Sequence, residues 1–265
     1  MSEHLYAKKS LGQHFLKSKA AIRAMIKAPS VTADDTVVEI GPGKGVLTRA
    51  LLEAGATVIA FELDERMIAF LHQEFATYID TEQLQIVHQD IVTVNIQQYV
   101  GNRPYKIIAN IPYYITNLIM RTFLETEHQP TDMCLLIQKE VAERIVARDG
   151  KQSLLSLSVQ AFGTAQYIMK VGRNYFSPPP KVDSAIVHIY GISHKYFDGP
   201  DDERGFFQLL HHAFAHKRKQ LMSNLRSHYP EDSIKSVLLE NDLPITVRAE
   251  DVSFEVWLKI YKAIA

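Results

Sequence analysis

Asn110, Pro112 and Tyr113 stand together in the stretch IIANIPYYIT, residues 107–116. An isoleucine-rich run stops at an amide; a proline and two tyrosines follow. These residue types suit one task, which is to hold a flat nucleobase by its exocyclic amine. The lone pair of such an amine is delocalised into the ring, so the nitrogen is a poor nucleophile. Two acceptors holding its two hydrogens draw it toward a tetrahedral shape and localise the lone pair. The side-chain oxygen of Asn110 can be one of them. Pro112 has no N–H and a fixed φ, which helps hold the carbonyl of Ile111, or its own, toward the ring. Tyr113 offers an aromatic face for stacking. Positioning and electrostatic complementarity would do this chemistry without a shifted general base. Alone, the same stretch reads as a turn that ends a strand.

A partner for that chemistry is suggested upstream. The segment EIGPGKG places Gly41, Gly43 and Gly45 between a strand and a helix, where the backbone can turn tightly and approach a ligand. A nicotinamide loop would read G-x-G-x-x-G. Here the third glycine comes one residue early, and Glu39 lies two residues before Gly41. That E-x-G-x-G-x-G form is similar to the first motif of S-adenosylmethionine (SAM) methyltransferases. Glu62 closes the next strand and is placed to accept from both ribose hydroxyls. Asp90 closes the third and is placed to accept from an adenine amine. In an open α/β sheet ligands bind beyond the carboxyl ends of the strands, where all these residues map. NAD is the second cofactor this pattern admits.

The elements that must carry these residues alternate regularly. TVVEIG, TVIAFELD, LQIVHQD, YKIIAN and DMCLLIQ read as strands, and amphipathic helical segments follow most of them. AQYIMKV and SAIVHIY read as final strands. This predicts an α/β chain with a mostly parallel sheet and helices on both faces. After residue 190 the segment GISHKYFDGPDDE reads as a linker, and Phe207, Leu210, Phe214, Leu221 and Leu225 keep helical spacing beyond it. Two domains are expected, over 1–190 and 191–265, the second small and helical.

Composition excludes other classes. Of 265 residues 46% are hydrophobic and 22% charged, the balance of a globular chain. No run is apolar enough for a membrane span, and the first residues lack the apolar core of a secretory signal, so a cytoplasmic protein is expected. Cys134 is the one cysteine, set in a strand-like apolar run, so no internal disulfide can form. Net charge is -1, yet charge is uneven. Residues 1–30 hold six basic residues against Glu3, and residues 204–229 hold five with no acid. Such patches suit an anionic partner. His211, His212 and His216 have no acid or cysteine beside them, and no metal is expected.

The blocks KKSLGQHFL, VVEIGPGKGVLT, HQDI, IIANIPYYI, LLIQKEVAERI, NYFSPPPKVDSAIV, AFAHKRKQLMSNL and RAEDVS carry a specific resemblance. The chain resembles the KsgA family of small-subunit rRNA adenine N6-dimethyltransferases and, more distantly, the Erm methyltransferases of large-subunit rRNA. The resemblance implies a Rossmann-like SAM-dependent methyltransferase domain with a small all-α C-terminal domain that binds RNA. It implies a monomer that transfers two methyl groups to each of two adjacent adenosines near the 3′ end of small-subunit rRNA, within a pre-ribosomal subunit. In that pattern His14 and Leu16 close over the cofactor, and Gly41, Glu62, Asp90 and Asn110 line its site. Asn110, Pro112 and Tyr113 serve catalysis. Phe176 faces Tyr113 across the target base, and Lys217, Arg218 and Lys219 meet RNA phosphates.

This chain departs from the pattern at four places. His14 and Tyr114 stand where asparagine is usual, LLSLSV replaces a common Y-G-x-L-S-V, and HKRK softens a double arginine. Three other readings share some features. One is an Erm-like enzyme acting on large-subunit rRNA, against which Pro42 stands. Another is a DNA adenine or protein-glutamine methyltransferase, against which Ile111 stands in place of a first proline. The last is a SAM-binding RNA assembly or transcription factor without activity.

Overall fold

The computed structural model describes Tyr6, Lys8 and residues 12–265. The chain divides into two compact units, Met1–Ala142 with Thr164–Ile192, and Glu143–Gly163 with Ser193–Ala265.

Among its described residues the first unit holds nine strands: β1 Phe15–Leu16, β2 Thr36–Ile40, β3 Thr57–Phe61, β4 Leu84–Val87, β5 Tyr105–Asn110, β6 Asp132–Gln138, β7 Thr164–Val171, β8 Phe176–Ser177 and β9 Ser184–Tyr190. Seven form one sheet in the order β4-β3-β2-β5-β6-β9-β7. The five from β4 to β6 run parallel, and β9 and β7 close that edge antiparallel. Every residue of β2 is buried, as expected of a parallel strand covered on both faces. Helices follow in the connections. Gly45, at φ 70°, N-caps Val46–Glu53, which buries Leu47, Leu51 and Leu52. Asp64 caps Glu65–Glu74 by accepting from Arg66 N–H.

The strands stop slightly earlier than their apolar runs suggest. β3 ends at Phe61 and β4 at Val87, which are paired. Glu62 N–H still donates to the Val87 carbonyl at 3.0 Å. Asp90 therefore lies three residues beyond its strand and caps the short turn Ile91–Thr93. Between Asn110 and the helix Thr116–Leu124 the residues Tyr113–Ile115 form a single 3-10 turn. β1 and β8 pair antiparallel as a two-stranded clip outside the main sheet. Two-residue strands carry no readable periodicity, so this clip is absent from the pattern of the sequence.

The second unit is helical: Leu154–Gln160, Pro200–Ala213, Leu221–Leu225, Glu231–Glu240 and Phe254–Ile264. Its interior is aromatic. Phe206 is fully buried with edge contacts to Phe254 and Tyr261, and the buried Trp257 lies against the Phe214 ring. The segment 143–163 belongs here rather than to a continuous domain ending at residue 190. The Phe162 ring stacks on Phe207, Ser193 N–H donates to the Phe162 carbonyl, and Gln152 N–H to that of Glu250. Residues 200–203, read as linker, instead open a helix, because Pro200 suits its first turn and Asp201, Asp202 and Glu203 complement its dipole. The helical spacing read through Phe214 to Leu225 is interrupted. The helix ends at Ala213, and residues 214–220 form turns.

Candidate active site

The carboxyl ends of β2, β3 and β5 and the loop after β4 open on one cavity in the first unit. Of the twelve residues singled out from sequence, nine line it: His14, Leu16, Gly41, Glu62, Asp90, Asn110, Pro112, Tyr113 and Phe176. Lys217, Arg218 and Lys219 belong to the second unit, on an exposed turn. Among the described residues none of these three forms an ion pair.

The glycine loop is built by its neighbours. Gly41, at φ 65°, donates its N–H to the Phe61 carbonyl at 2.9 Å. A Cβ on Gly41 would meet nothing within 4 Å, so its open side borders free space. Gly45 serves packing instead, since a Cβ there would lie 2.4 Å from the Phe75 ring. Glu62 is 6% exposed and carries three backbone donors. Its Oε2 accepts from Gly43 N–H at 3.1 Å, and its Oε1 accepts from the N–H groups of Leu63 and Asp64 at 2.9 and 3.0 Å. The acid thus shapes the glycine loop as well as facing the cavity. Asp90 is exposed and spends Oδ1 on Val92 N–H.

Glu39, on β2, also lines the cavity, although sequence reading used it only as a motif marker. It is 1% exposed and accepts from the Thr48 hydroxyl at 2.6 Å. Burial pushes its carboxyl up to about 8; the Thr48 bond lowers it, and the Glu62 charge raises it further. A buried carboxyl with a neutral partner and an acid nearby keeps its proton. Lys44, a cation on the same wall, turns its Nζ over the Phe15 ring at 5.0 Å.

The reaction end is held by a strap, residues 12–17. Asn110 donates from Nδ2 to the His14 carbonyl at 3.1 Å. The imidazole of His14 bonds through Nδ1 to the Pro178 carbonyl at 2.8 Å and lies nearly parallel to the Tyr113 ring, 6.2 Å away. His14 thus contacts the proline segment and the tyrosine as well as lining the cavity. Leu16 pairs with Phe176 across the clip, and Lys17 N–H donates to the Tyr175 carbonyl. Tyr113 shares a 2.7 Å hydrogen bond between its hydroxyl and that of Ser184 on β9. Burial raises its phenol, the Ser184 bond opposes this, and the Asp183 charge adds to it. The Pro112 carbonyl accepts from Ile115 N–H at 3.2 Å.

Asp64 anchors the other end of the strap. Its carboxylate accepts from Arg66 and, at 3.1 Å, from Gln13 Nε2, and Lys8 Nζ lies 3.7 Å away. The Arg66 hydrogen bonds outweigh burial and, with Gln13, bring Asp64 down to about 2. A helix-cap aspartate is legible in sequence; its second use as an anchor depends on a contact 51 residues away.

A family model for ribosomal RNA adenine dimethylase matches residues 5–265. The chain is 39% identical to ribosomal RNA small subunit methyltransferase A of Dehalococcoides mccartyi over 259 residues, 97% of this chain and 88% of that one. It is 33% identical to the protein of the same name in Fusobacterium nucleatum, over 96% of both chains. A dimethyladenosine transferase from Plasmodium falciparum superposes with a TM-score of 0.76 at 28% identity, covering 93% of this chain and 96% of that one. The 23S rRNA methyltransferase ErmE shares the fold, with a TM-score of 0.80 at 24% identity, over 94% of this chain and 99% of that one. This chain belongs to the ribosomal RNA adenine dimethylase family and is a SAM-dependent methyltransferase.

Proposed function

We propose that the chain dimethylates N6 of two adjacent adenosines near the 3′ end of small-subunit rRNA during ribosome assembly, as a cytoplasmic monomer. The observation that carries this reading is the Asn110 amide. Its Nδ2 is committed to the His14 carbonyl, which leaves Oδ1 as the acceptor at the cavity. Among the described residues, no protein group donates to that oxygen. The carbonyl of Ile111, or that of Pro112, which already accepts one hydrogen bond from Ile115 N–H, would be the second acceptor for the amine hydrogens. Tyr113, fixed through Ser184, carries one face of the base, and Phe176 from β8 limits the other.

The cavity suits the cofactor. Gly41 leaves room on the backbone, and Glu39, Glu62 and Asp90 present acids on the wall. When bound, SAM supplies an electrophilic methyl group on a cationic sulfonium. Glu62 and Asp90 would hold its ribose and adenine, and Leu16 and His14 would cover it. After methyl transfer the amine nitrogen would carry a positive charge and lose its proton to water as its lone pair rejoins the ring, with no strongly basic side chain required. Lys217, Arg218 and Lys219 on their unpaired turn would bind phosphates, giving the second unit an RNA-binding role.

The name shared by the curated relatives favours the small subunit over the large. Incubation with methyl-labelled SAM and a mixture of small and large subunits lacking the modification, followed by nucleoside mapping, tests the assignment. Label in N6-dimethyladenosine of small-subunit rRNA is expected. Label confined to large-subunit rRNA would assign the chain to the other substrate.

A further inference from the structure

The two tyrosines after Pro112 have opposite surroundings. Tyr113 is half-buried, with its hydroxyl tied to Ser184. Tyr114 is 66% exposed, yet it lines the same cavity at the mouth. Its ring is nevertheless supported. Gly12 has φ 60°, and a Cβ there would stand 3.4 Å from Tyr114 Cε1 and 3.6 Å from Pro112 Cβ. The strap glycine therefore lies against one edge of the ring, and most of the ring is open to solvent. Leu118, one helical turn further on, is also exposed at 45%.

A single exposed aromatic is ordinary on a protein surface. An aromatic ring backed by the strap at the mouth of a base-binding cavity is a different case. A base withdrawn from an RNA strand leaves its neighbours unstacked, and aromatic faces are the usual replacement for the lost stacking. The backbone distance between consecutive nucleotides is short, so a neighbour of the target base must lie at the cavity mouth. There it would meet the ring of Tyr114.

We propose that Tyr114 is a stacking platform for the nucleobase immediately flanking the target adenine. The inference rests on the reading of the cavity as an adenine site. It divides the tyrosine pair by role: Tyr113 holds the reacting base, and Tyr114 holds its neighbour. The contact is made by the ring face, so phenylalanine should replace tyrosine.

The test uses the full chain and small subunits lacking the modification. Tyr114→Ala should raise KM for subunits about tenfold, the scale of one lost base stack, with kcat changed less than about twofold. Tyr114→Phe should restore the wild-type KM. Tyr190→Ala, at an exposed tyrosine that pairs with Asp132 at the amino end of β6 and does not line the cavity, should leave both constants unchanged. A photoreactive Tyr114→p-benzoylphenylalanine variant should cross-link to the nucleotide next to the methylated one. An unchanged KM for Tyr114→Ala, or a cross-link to a distant nucleotide, would overturn the platform while wild-type methylation of adenine continues. Failure of the wild-type protein to methylate adenine would instead remove the adenine site, and the platform with it.

Discussion

The side-chain nitrogen of Asn110 and the backbone carbonyl of His14 are 3.1 Å apart, and only the nitrogen can donate. This bond selects one of the two orientations of the amide and leaves its oxygen facing the cavity. It also ties the strap to the end of β5. Asn110→Asp replaces the donor by a second acceptor and sets a carboxylate against a carbonyl. The cost of an unmade bond to the strap is about 1–3 kcal/mol. The variant should bind SAM about tenfold or more weakly by calorimetry and transfer no detectable methyl group. Wild-type affinity in Asn110→Asp would show that the strap does not depend on this bond.

Tyr113 separates its ring from its hydroxyl. Tyr113→Phe loses only the bond to Ser184, worth about 1 kcal/mol, so kcat/KM should fall by less than about tenfold. Tyr113→Ala loses the stacking face, worth about 1–3 kcal/mol in binding alone, and misplaces the amine as well. Its kcat/KM should fall by a factor of about a hundred or more. Equal losses in the two variants would place the function in the hydroxyl instead.

Lys217, Arg218 and Lys219 give a salt-dependent prediction. Each phosphate neutralised on single-stranded RNA contributes about 0.7 to the slope of log affinity against log salt. The triple alanine variant should flatten that slope by about 2 and weaken RNA binding at low salt. SAM affinity should stay at the wild-type value. A wild-type salt slope in the triple variant would reject the phosphate contacts.

Glu39 predicts a pH dependence of stability. The folded chain keeps the Glu39 proton up to about 8, whereas an unfolded chain releases it near the ordinary value of 4.5. Between those values the unfolded state binds fewer protons, so this residue makes stability fall as pH rises, and the full contribution is present only below 4.5. The slope is at most about 1.4 kcal/mol per pH unit. Urea midpoints from pH 5 to 8 should fall more steeply for the wild type than for Glu39→Gln. Parallel curves would mean that Glu39 is ionised in the folded chain.

The legible parts of the site are those built from local sequence. β2, β3 and β5 announce themselves as short β-branched runs, and Gly41, Glu62 and Asn110 directly follow or end them. The order of these residues along the chain gave their meeting place, because parallel strands share one carboxyl edge. What was hidden lies in contacts between distant residues. The β1–β8 clip joins residues more than 150 positions apart, and His14 reaches Pro178 through it. Gln13 reaches Asp64, and Glu62 reaches back to the N–H of Gly43. Residues 143–163 look like a continuation of the βα alternation, yet their contacts through Phe162 and Gln152 fall in the helical unit. The turn at 214–220 breaks a helical spacing that Phe214, Leu221 and Leu225 keep by coincidence.

The central claim is that the oxygen of Asn110 acts on the amine of the target base and not on the cofactor. Asn110→Ala tests it most directly, with SAM affinity by calorimetry and single-turnover methyl transfer to unmodified small subunits measured on the same preparation. The account predicts SAM affinity weakened by about tenfold through the lost bond to His14, and transfer at saturating SAM slower by a factor of at least about a hundred, the scale of one lost preorganised polar contact. Transfer at the wild-type rate with SAM bound would contradict it.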